Sequence, residues 1–288
     1  MSVINPNINS LIRRLVLICC AALFFSLPAQ GQTKPETVSD FSAPVGKGVK
    51  ATYFDLIDSV FPKTGENTRK SVPLNNIFGD YQARVYEGNL QIDYARSIWV
   101  NYNGRRHLLL LINVGGDGAA EMFSWQEMNV LALFDLKDGL KLIDAADVQG
   151  DRLTFFSEQQ PVLNISPQTD AFLIANHHFN AGESFMNLTL VSVVKNRFKV
   201  VLGSIPTLKA ENGCALNYEE KAALQINPDA RKTYRDITVD YKYVRNPGDE
   251  ECGRKARGYT KNYRYRYVWN EKRREYVKLK YVKLKGRK

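Results

Sequence analysis

The sequence carries no HExxH, no GxSxG and no glycine-rich phosphate loop, so zinc-protease, α/β-hydrolase and nucleotide-hydrolysing chemistries have no local signature in it. Histidine is scarce as well, since His107, His177 and His178 are the only three in 288 residues. Cysteine numbers four, and Cys19 and Cys20 fall in an N-terminal apolar run, which leaves Cys214 and Cys252. These two lack the CxxC spacing of a redox pair, so in an oxidising compartment they read as one disulfide, Cys214–Cys252, worth roughly 3 to 4 kcal/mol. No apolar run reaches the ~18 to 20 residues of a membrane-spanning helix, which excludes a helical span from the mature chain.

What the N-terminus does contain is an export signal. Arg13 and Arg14 precede a 13-residue apolar run from Leu15 to Leu27, and Ala29 and Gly31 supply small residues for cleavage. Cleavage near Gly31 predicts residues 1–31 as signal peptide, 32–50 as a flexible mature N-terminus, 51–281 as a single mainly-β domain and 282–288 as a basic tail. The protein is then exported, to the periplasm or beyond. Lipid attachment at Cys19 fits poorly, because Ile18 stands where a small residue is required.

Charge is unevenly spread. The formal net charge is +10, yet residues 253–288 alone hold 15 Lys or Arg against Glu271 and Glu275, and residues 32–252 carry 28 acidic against 23 basic residues. The body is mildly acidic and the whole excess sits at the C-terminus.

Tyr53, Phe54, Ile57, Val60 and Phe61 recur at helical spacing before Pro62 and predict a short N-terminal helix. From there the chain reads as strands in groups of four. The first group starts at Tyr94, His107, Asn129 and Leu140; the second at Val162, Ala171, Phe185 and Phe198; the third at Ala222, Thr233, Tyr259 and Glu275. Each group has a tight turn between its third and fourth strands and a longer loop between its second and third. The pattern predicts a mainly-β fold of blade-like four-stranded antiparallel meanders, β-propeller-like, with a large β-sandwich as the alternative. Residues 63–93 offer no readable further blade.

The first of the longer loops runs Asn113, Gly115, Asp117, Gly118, Glu121. It resembles the calcium loop of FG-GAP repeats in integrin-type propellers, which follows DxDxDGxxD. The resemblance implies a propeller fold and weak calcium binding through Asn113, Asp117 and Glu121, with a ligand missing at Gly115. No other cofactor is implied.

His177 and His178 end a strand and point to opposite faces, so they do not share a metal easily. One of them with Glu183, and with His107 where strands align, forms the candidate for a metal-assisted hydrolytic site. Trp99, Phe123, Trp125 and Trp269 suit sugar stacking if they cluster.

Tyr263, Tyr265, Tyr267 and Trp269 share one strand face with Arg264 and Arg266 on the other, and after a turn YVKLK occurs twice, at 276–280 and 281–285. Strict alternation puts Val277, Leu279 and Tyr281 on one face and Tyr276, Lys278 and Lys280 on the other. The odd repeat then throws Val282 and Leu284 onto the wrong face, so the strand is expected to lose register near Tyr281 and to fray from 282 onward. Lys278, Lys280, Lys283, Lys285, Arg287 and Lys288 are the candidates for contact with an anionic cell-surface polymer or a protein partner. Export and a buried aromatic face argue against nucleic acid. Together these readings describe an exported, non-catalytic binding or interaction protein that uses the loops between second and third strands, with a hydrolase on the same face as the alternative.

Overall fold

In the computed structural model, which describes residues 34–78, 83–115, 128–150, 153–180, 183–211, 218–229, 231–245 and 257–284, the apolar run Leu108 to Ile112 is a strand buried on both faces. Leu108, Leu110 and Ile112 enter one core, while Leu109 and Leu111 enter another. A continuous apolar run, rather than an alternating one, is what a doubly covered strand requires.

The chain begins with β1 (Glu36–Val38) and α1 (Tyr53–Val60), continues through the short strands β2 (Arg69–Lys70), β3 (Leu74–Asn76), β4 (Ala83–Arg84) and β5 (Glu87–Gly88), and then forms β6 (Gln91–Tyr102), β7 (Arg105–Gly115), β8 (Met128–Asp135) and β9 (Lys141–Asp147). β6 to β9 are the first meander, extended by β1 at one edge and by β3 and β4 at the other into a seven-stranded sheet. β10 (Leu153–Phe156), β11 (Val162–Asn164), β12 (Asp170–Asn180), β13 (Glu183–Val194) and β14 (Arg197–Glu211) make the second sheet. β15 (Tyr218–Asn227), β16 (Asp236–Arg245), β17 (Tyr259–Asn270) and β18 (Glu275–Leu284) make the third. The fold is mainly β, built of repeated antiparallel meanders with one short helix.

These sheets stack face to face. Leu109, Leu111, Leu131 and Leu133 of the first sheet pack on Phe156, Phe172, Ile174 and Val191 of the second. The far side of the second, through Leu173, Ala175, Leu188 and Leu190, packs on Leu224, Ile237, Val239 and Tyr276 of the third. The outer face of the first sheet is covered by α1, through Leu56, Ile57, Val60 and Phe61. Among the described residues three such sheets are present and no ring is closed. The layering is sandwich-like; β3 and β4 extend an edge of the first sheet, and β2 and β5 pair as a separate two-stranded ribbon rather than a further blade.

α1 opens with a capping box, in which the Asp55 backbone N–H donates to Thr52 Oγ1 and the Thr52 N–H donates to Asp55 Oδ2 at 2.7 Å. Its buried face is Tyr53, Leu56, Ile57 and Val60. Phe54, expected in that stripe, is exposed instead and meets Phe41 edge to face at 5.8 Å. Three further differences from expectation concern pairing. Residues 36–38 are a strand of the first sheet, not a flexible lead. The second meander has no long loop between its middle strands, because β12 and β13 pair up to Asn180 opposite Glu183. β18 stays paired to Leu284, opposite Asn262, so the expected fraying at 282 does not occur.

Polar ties pin the stack at one end. Asp170, at the start of β12, accepts from the Asn101 backbone N–H at 2.7 Å and from Asn101 Nδ2 at 3.0 Å, joining the second sheet to the first. Asp144 of β9 accepts from the Phe198 N–H at 2.7 Å and from Arg197 Nη1 at 2.8 Å. Arg235 donates to Asn164 O at 3.1 Å, and Tyr276 donates to Arg235 O at 2.8 Å, tying the third sheet to the second. These ties lie beside the tight turns at 103–104, 195–196 and 270–274. At the first two, Asn103, Gly104, Lys195 and Asn196 all take positive φ, as two-residue hairpins require.

Burial pushes up the carboxyls of Asp144, Asp147 and Asp170, against the hydrogen bonds that each accepts. A group whose folded pKa is raised contributes stability that is present below its unfolded value and lost as pH rises through its folded value. Asp147 accepts from Asn76, Tyr86 and the Gln149 N–H. Asp147→Asn removes that titration, so the melting temperature of the variant minus that of the wild type should increase as pH is raised from acid to neutral. A constant difference across that range would show that Asp147 does not titrate as its burial requires.

Candidate ligand groove

The third sheet grades from aliphatic to aromatic along one face. Cross-strand partners on it run from Ile226, Ile237 and Tyr267, through Leu224, Val239, Tyr265 and Tyr281, then Ala222, Tyr241 and Tyr263, to Glu220, Tyr243 and Lys261. The aliphatic end is buried against the second sheet. The aromatic end opens into a groove of about 580 Å³ lined by Tyr241, Tyr243, Tyr259, Tyr263, Tyr265 and Tyr267, with Lys261 and Lys278 among them and β14 as its far wall.

A β-bulge sets which residues reach this face. Arg266 pairs with Lys280 but Tyr267 pairs with Lys278, which leaves Leu279 as an extra residue. Strict alternation therefore fails at Leu279, and Tyr281 joins Tyr276 and Lys278 on the aromatic side instead of opposing them. A five-residue repeat with one bulged residue advances the ladder by four positions, an even number, so both copies of YVKLK present tyrosine to the same face. Lys278, expected on the outer face, sits with its Nζ 3.6 Å from the Tyr265 ring centroid. Leu279 itself is 60% exposed.

The rings form a nearly continuous surface. Tyr218 stacks on Tyr243 at 5.4 Å and Tyr243 on Tyr259 at 5.8 Å, while Tyr265 lies 5.3 Å from both Tyr241 and Tyr281. Lys261 Nζ is 4.5 Å from the Tyr259 ring. On the opposite face Arg264 makes a bidentate pair with Asp240 at 2.6 and 2.7 Å, and Arg266 and Lys232 converge on Asp236. Burial works against the Asp236 carboxylate, but those two cations outweigh it and hold its pKa below the usual range. Lys261 and Lys278 make no ion pair among the described residues and both line the groove, with Glu220 the acid at its margin.

Burial raises the phenols of Tyr241, Tyr265 and Tyr267, and neighbouring tyrosines add to the shift. At neutral pH they are un-ionised and donate hydrogen bonds. An aromatic floor with phenolic donors and two free ammonium groups suits a ligand with flat apolar patches, acceptor oxygens and negative charge.

The other candidates are dispersed. His177 Nε2 lies 2.8 Å from Ser184 Oγ, whereas His178 stacks on Phe185 at 4.7 Å on the opposite face of the sheet, as its neighbouring position requires. Glu183 opens β13, and its side chain lies outside the described part. His107 is buried in the first sheet, with its Nδ1 3.1 Å from Arg105 O. It belongs to the turn end, whereas His177 lies seven residues up β12 from the tie at Asp170, ~23 Å by strand rise. No group of three metal-ligating side chains occurs among the described residues. Asn113 is buried and donates through Nδ2 to Asn129 at 3.3 Å, and Asp117 and Glu121 lie outside the described residues. So do Cys214, Cys252, Phe123 and Trp125. Trp99 belongs to the core under α1, under Arg106 at 4.7 Å, and Trp269 stacks on Tyr234 at 4.0 Å in the core between the second and third sheets, so the two do not share a groove. Lys280 and Lys283 stand opposite Arg266 and Tyr263 in register, and residues 285, 287 and 288 lie outside the described chain.

The sequence reading missed the groove because it assigned the whole aromatic face to a core. The odd length of the YVKLK repeat was the signal that a bulge intervenes. Comparison with known proteins finds no family model that matches the chain, no curated protein similar to it and no solved structure that it matches.

Alkaline titration tests the burial of these phenols. Burial pushes Tyr86 up to about 12 and places Tyr241 and Tyr276 well above the ordinary phenol range, whereas the hydrogen bond from Tyr243 lowers exposed Tyr259. Phenolate absorbance should appear in an early and a late wave, and Tyr241→Phe should remove amplitude only from the late one. Loss of amplitude from the early wave would mean that Tyr241 is solvated.

Proposed function

We propose that the protein is an exported, non-catalytic binding protein that holds an acidic polysaccharide in the tyrosine groove of its third sheet. The observation that supports this most is the pairing of a stacked phenol surface with two ammonium groups, Lys261 and Lys278, that have no counter-ion among the described residues. Sugar rings offer apolar C–H faces to stack on tyrosine, hydroxyls for the phenols, and carboxylate or sulfate groups for lysine. An exported protein meets such polymers at the cell surface. The leader read at 1–31 and the basic residues 285–288 extend the reading to positions outside the described structure. In it the contact face moves from the loops between second and third strands to the sheet itself.

Binding of oligouronates, followed by calorimetry, tests the reading. Tyr263→Ala and Tyr265→Ala should each weaken binding by about 1 kcal/mol, roughly fivefold. Lys278→Ala should weaken it and flatten its salt dependence. A neutral glucan bound as tightly as the uronate, or variants that bind like wild type, would remove the proposal.

Export is tested through the cysteines. Tyr218, Arg245 and Tyr259 are successive partners across β15, β16 and β17. Cys214 precedes Tyr218 by four positions and Cys252 lies between Arg245 and Tyr259 in the sequence, both outside the described residues. The intact exported protein should be two hydrogens lighter than its reduced form and should melt lower after reduction; free thiols in protein recovered from outside the cytoplasm would contradict the disulfide.

A second reading, hydrolysis, is favoured by the contact of His177 with Ser184, the arrangement in which a base activates a hydroxyl. Turnover of small esters, abolished by Ser184→Ala, would support it over the binding reading. The finer fold reading, an incomplete propeller of the FG-GAP kind, draws on the sequential face-to-face stacking of meanders. Its calcium loop at 113–121 predicts a rise in melting temperature on adding millimolar calcium.

A further inference from the structure

The second and third sheets are tied together beside Asn164, Arg235 and Tyr276, and they part toward the other end. Along β12 the residue after the buried Leu173 on that face is Ala175; along β15 the next residue from Leu224 is Ala222; and Ala222 stands opposite Tyr241. The third-sheet wall thus steps back by most of a side chain at half-buried Ala222, while Ala175 of the facing sheet is fully buried. The space left is a cleft of about 800 Å³, walled by Phe155, Ala175, Met186, Leu188, Ala222 and Tyr241. Interiors elsewhere in this protein are filled with Leu, Ile, Val and Phe. An apolar gap of this size costs stability while it is unfilled, and its volume falls in the range of small-molecule sites.

The charges on its rim are largely cancelled. Asp240 is held by Arg264, and Lys221 pairs with Glu219 at 2.7 Å. Lys242 and Glu158 remain, one of each sign. Among the polar groups of the lining, which include Ser157, Gln159, Thr207 and Asn262, His177 is paired with Ser184. Leu153, the register partner of His177, leaves 39% of its surface exposed there.

We propose that this cleft binds a single-chain amphiphile, with its aliphatic part between Met186 and Ala222 and a hydrogen-bonding end at His177 and Ser184. The site is distinct from the tyrosine groove, although Tyr241 and Lys242 border both. Because the rim charges cancel, the head is recognised by hydrogen bonding, and affinity is insensitive to salt. That distinguishes it from polyanion binding in the groove.

Displacement of an environment-sensitive apolar fluorophore from the full exported chain by dodecanol and by dodecanoic acid tests the proposal. Both should displace the fluorophore, with less than about a twofold change in affinity between about 50 and 500 mM salt. Ala222→Leu adds bulk on the half-buried third-sheet wall of the cleft and should weaken binding by about tenfold or more while leaving the melting temperature unchanged or higher, because the added methyl groups enter open space. Met186→Phe, on the second-sheet wall, should also weaken binding and serves if the first variant does not fold. Lys278→Ala and Tyr265→Ala should leave amphiphile binding unchanged, so failure here and failure of the polysaccharide reading are separable. Absence of binding to wild type, or binding retained in a folded cleft-wall variant, would overturn the proposal.

Discussion

A sheet covered on both faces has no solvent side on which to place polar groups, and the second sheet is such a sheet. Its strands contribute Phe172 and Ile174 to one core and Leu173 and Ala175 to the other. Hydrophobic burial of this kind is strong but non-directional, so it does not by itself fix how one sheet is placed over the next. The buried acceptors Asp144 and Asp170 supply that direction. Each takes a backbone N–H and a side-chain donor from the adjoining sheet, and desolvation would leave either of them costly if the sheets slid. Register between layers is therefore set by carboxylates, and cohesion by Leu, Ile, Val and Phe.

Much of this order was legible in the residues. The grouping of strands by four, the tight turns and the short helix before Pro62 all follow from local periodicity and turn chemistry, which depend on neighbours in sequence. The buried aspartates were not legible, because an Asp in a strand looks the same whether it meets water or an Asn101 from another sheet. Phe54 was misassigned for a related reason. A helix of eight residues offers two apolar arcs, and Leu56 fits the core while Phe54 finds Phe41 outside it. The bulge at Leu279 lay between these cases. The two YVKLK copies signalled a conflict with strict alternation, which fraying or an extra residue would equally resolve, and only the ladder against β17 distinguishes them.

The ties described above cluster beside the tight turns, at the ends where Asn101, Arg197 and Arg235 lie. Away from that end the third sheet is free to diverge, and both the tyrosine groove and the alanine cleft open there. The division follows from composition along single strands. β17 reads Trp269 and Tyr267 at its packed end and Tyr263 and Tyr259 at its open end, and β15 reads Ile226 and Leu224 before Ala222 and Glu220. Phenols tolerate partial solvation that aliphatic side chains resist, since the ring packs while the hydroxyl stays hydrogen-bonded. Tyrosine can therefore line a wedge where leucine would close it, and the substitution of one for the other along β16, from Val239 to Tyr241 and Tyr243, marks where the core ends and a binding surface begins.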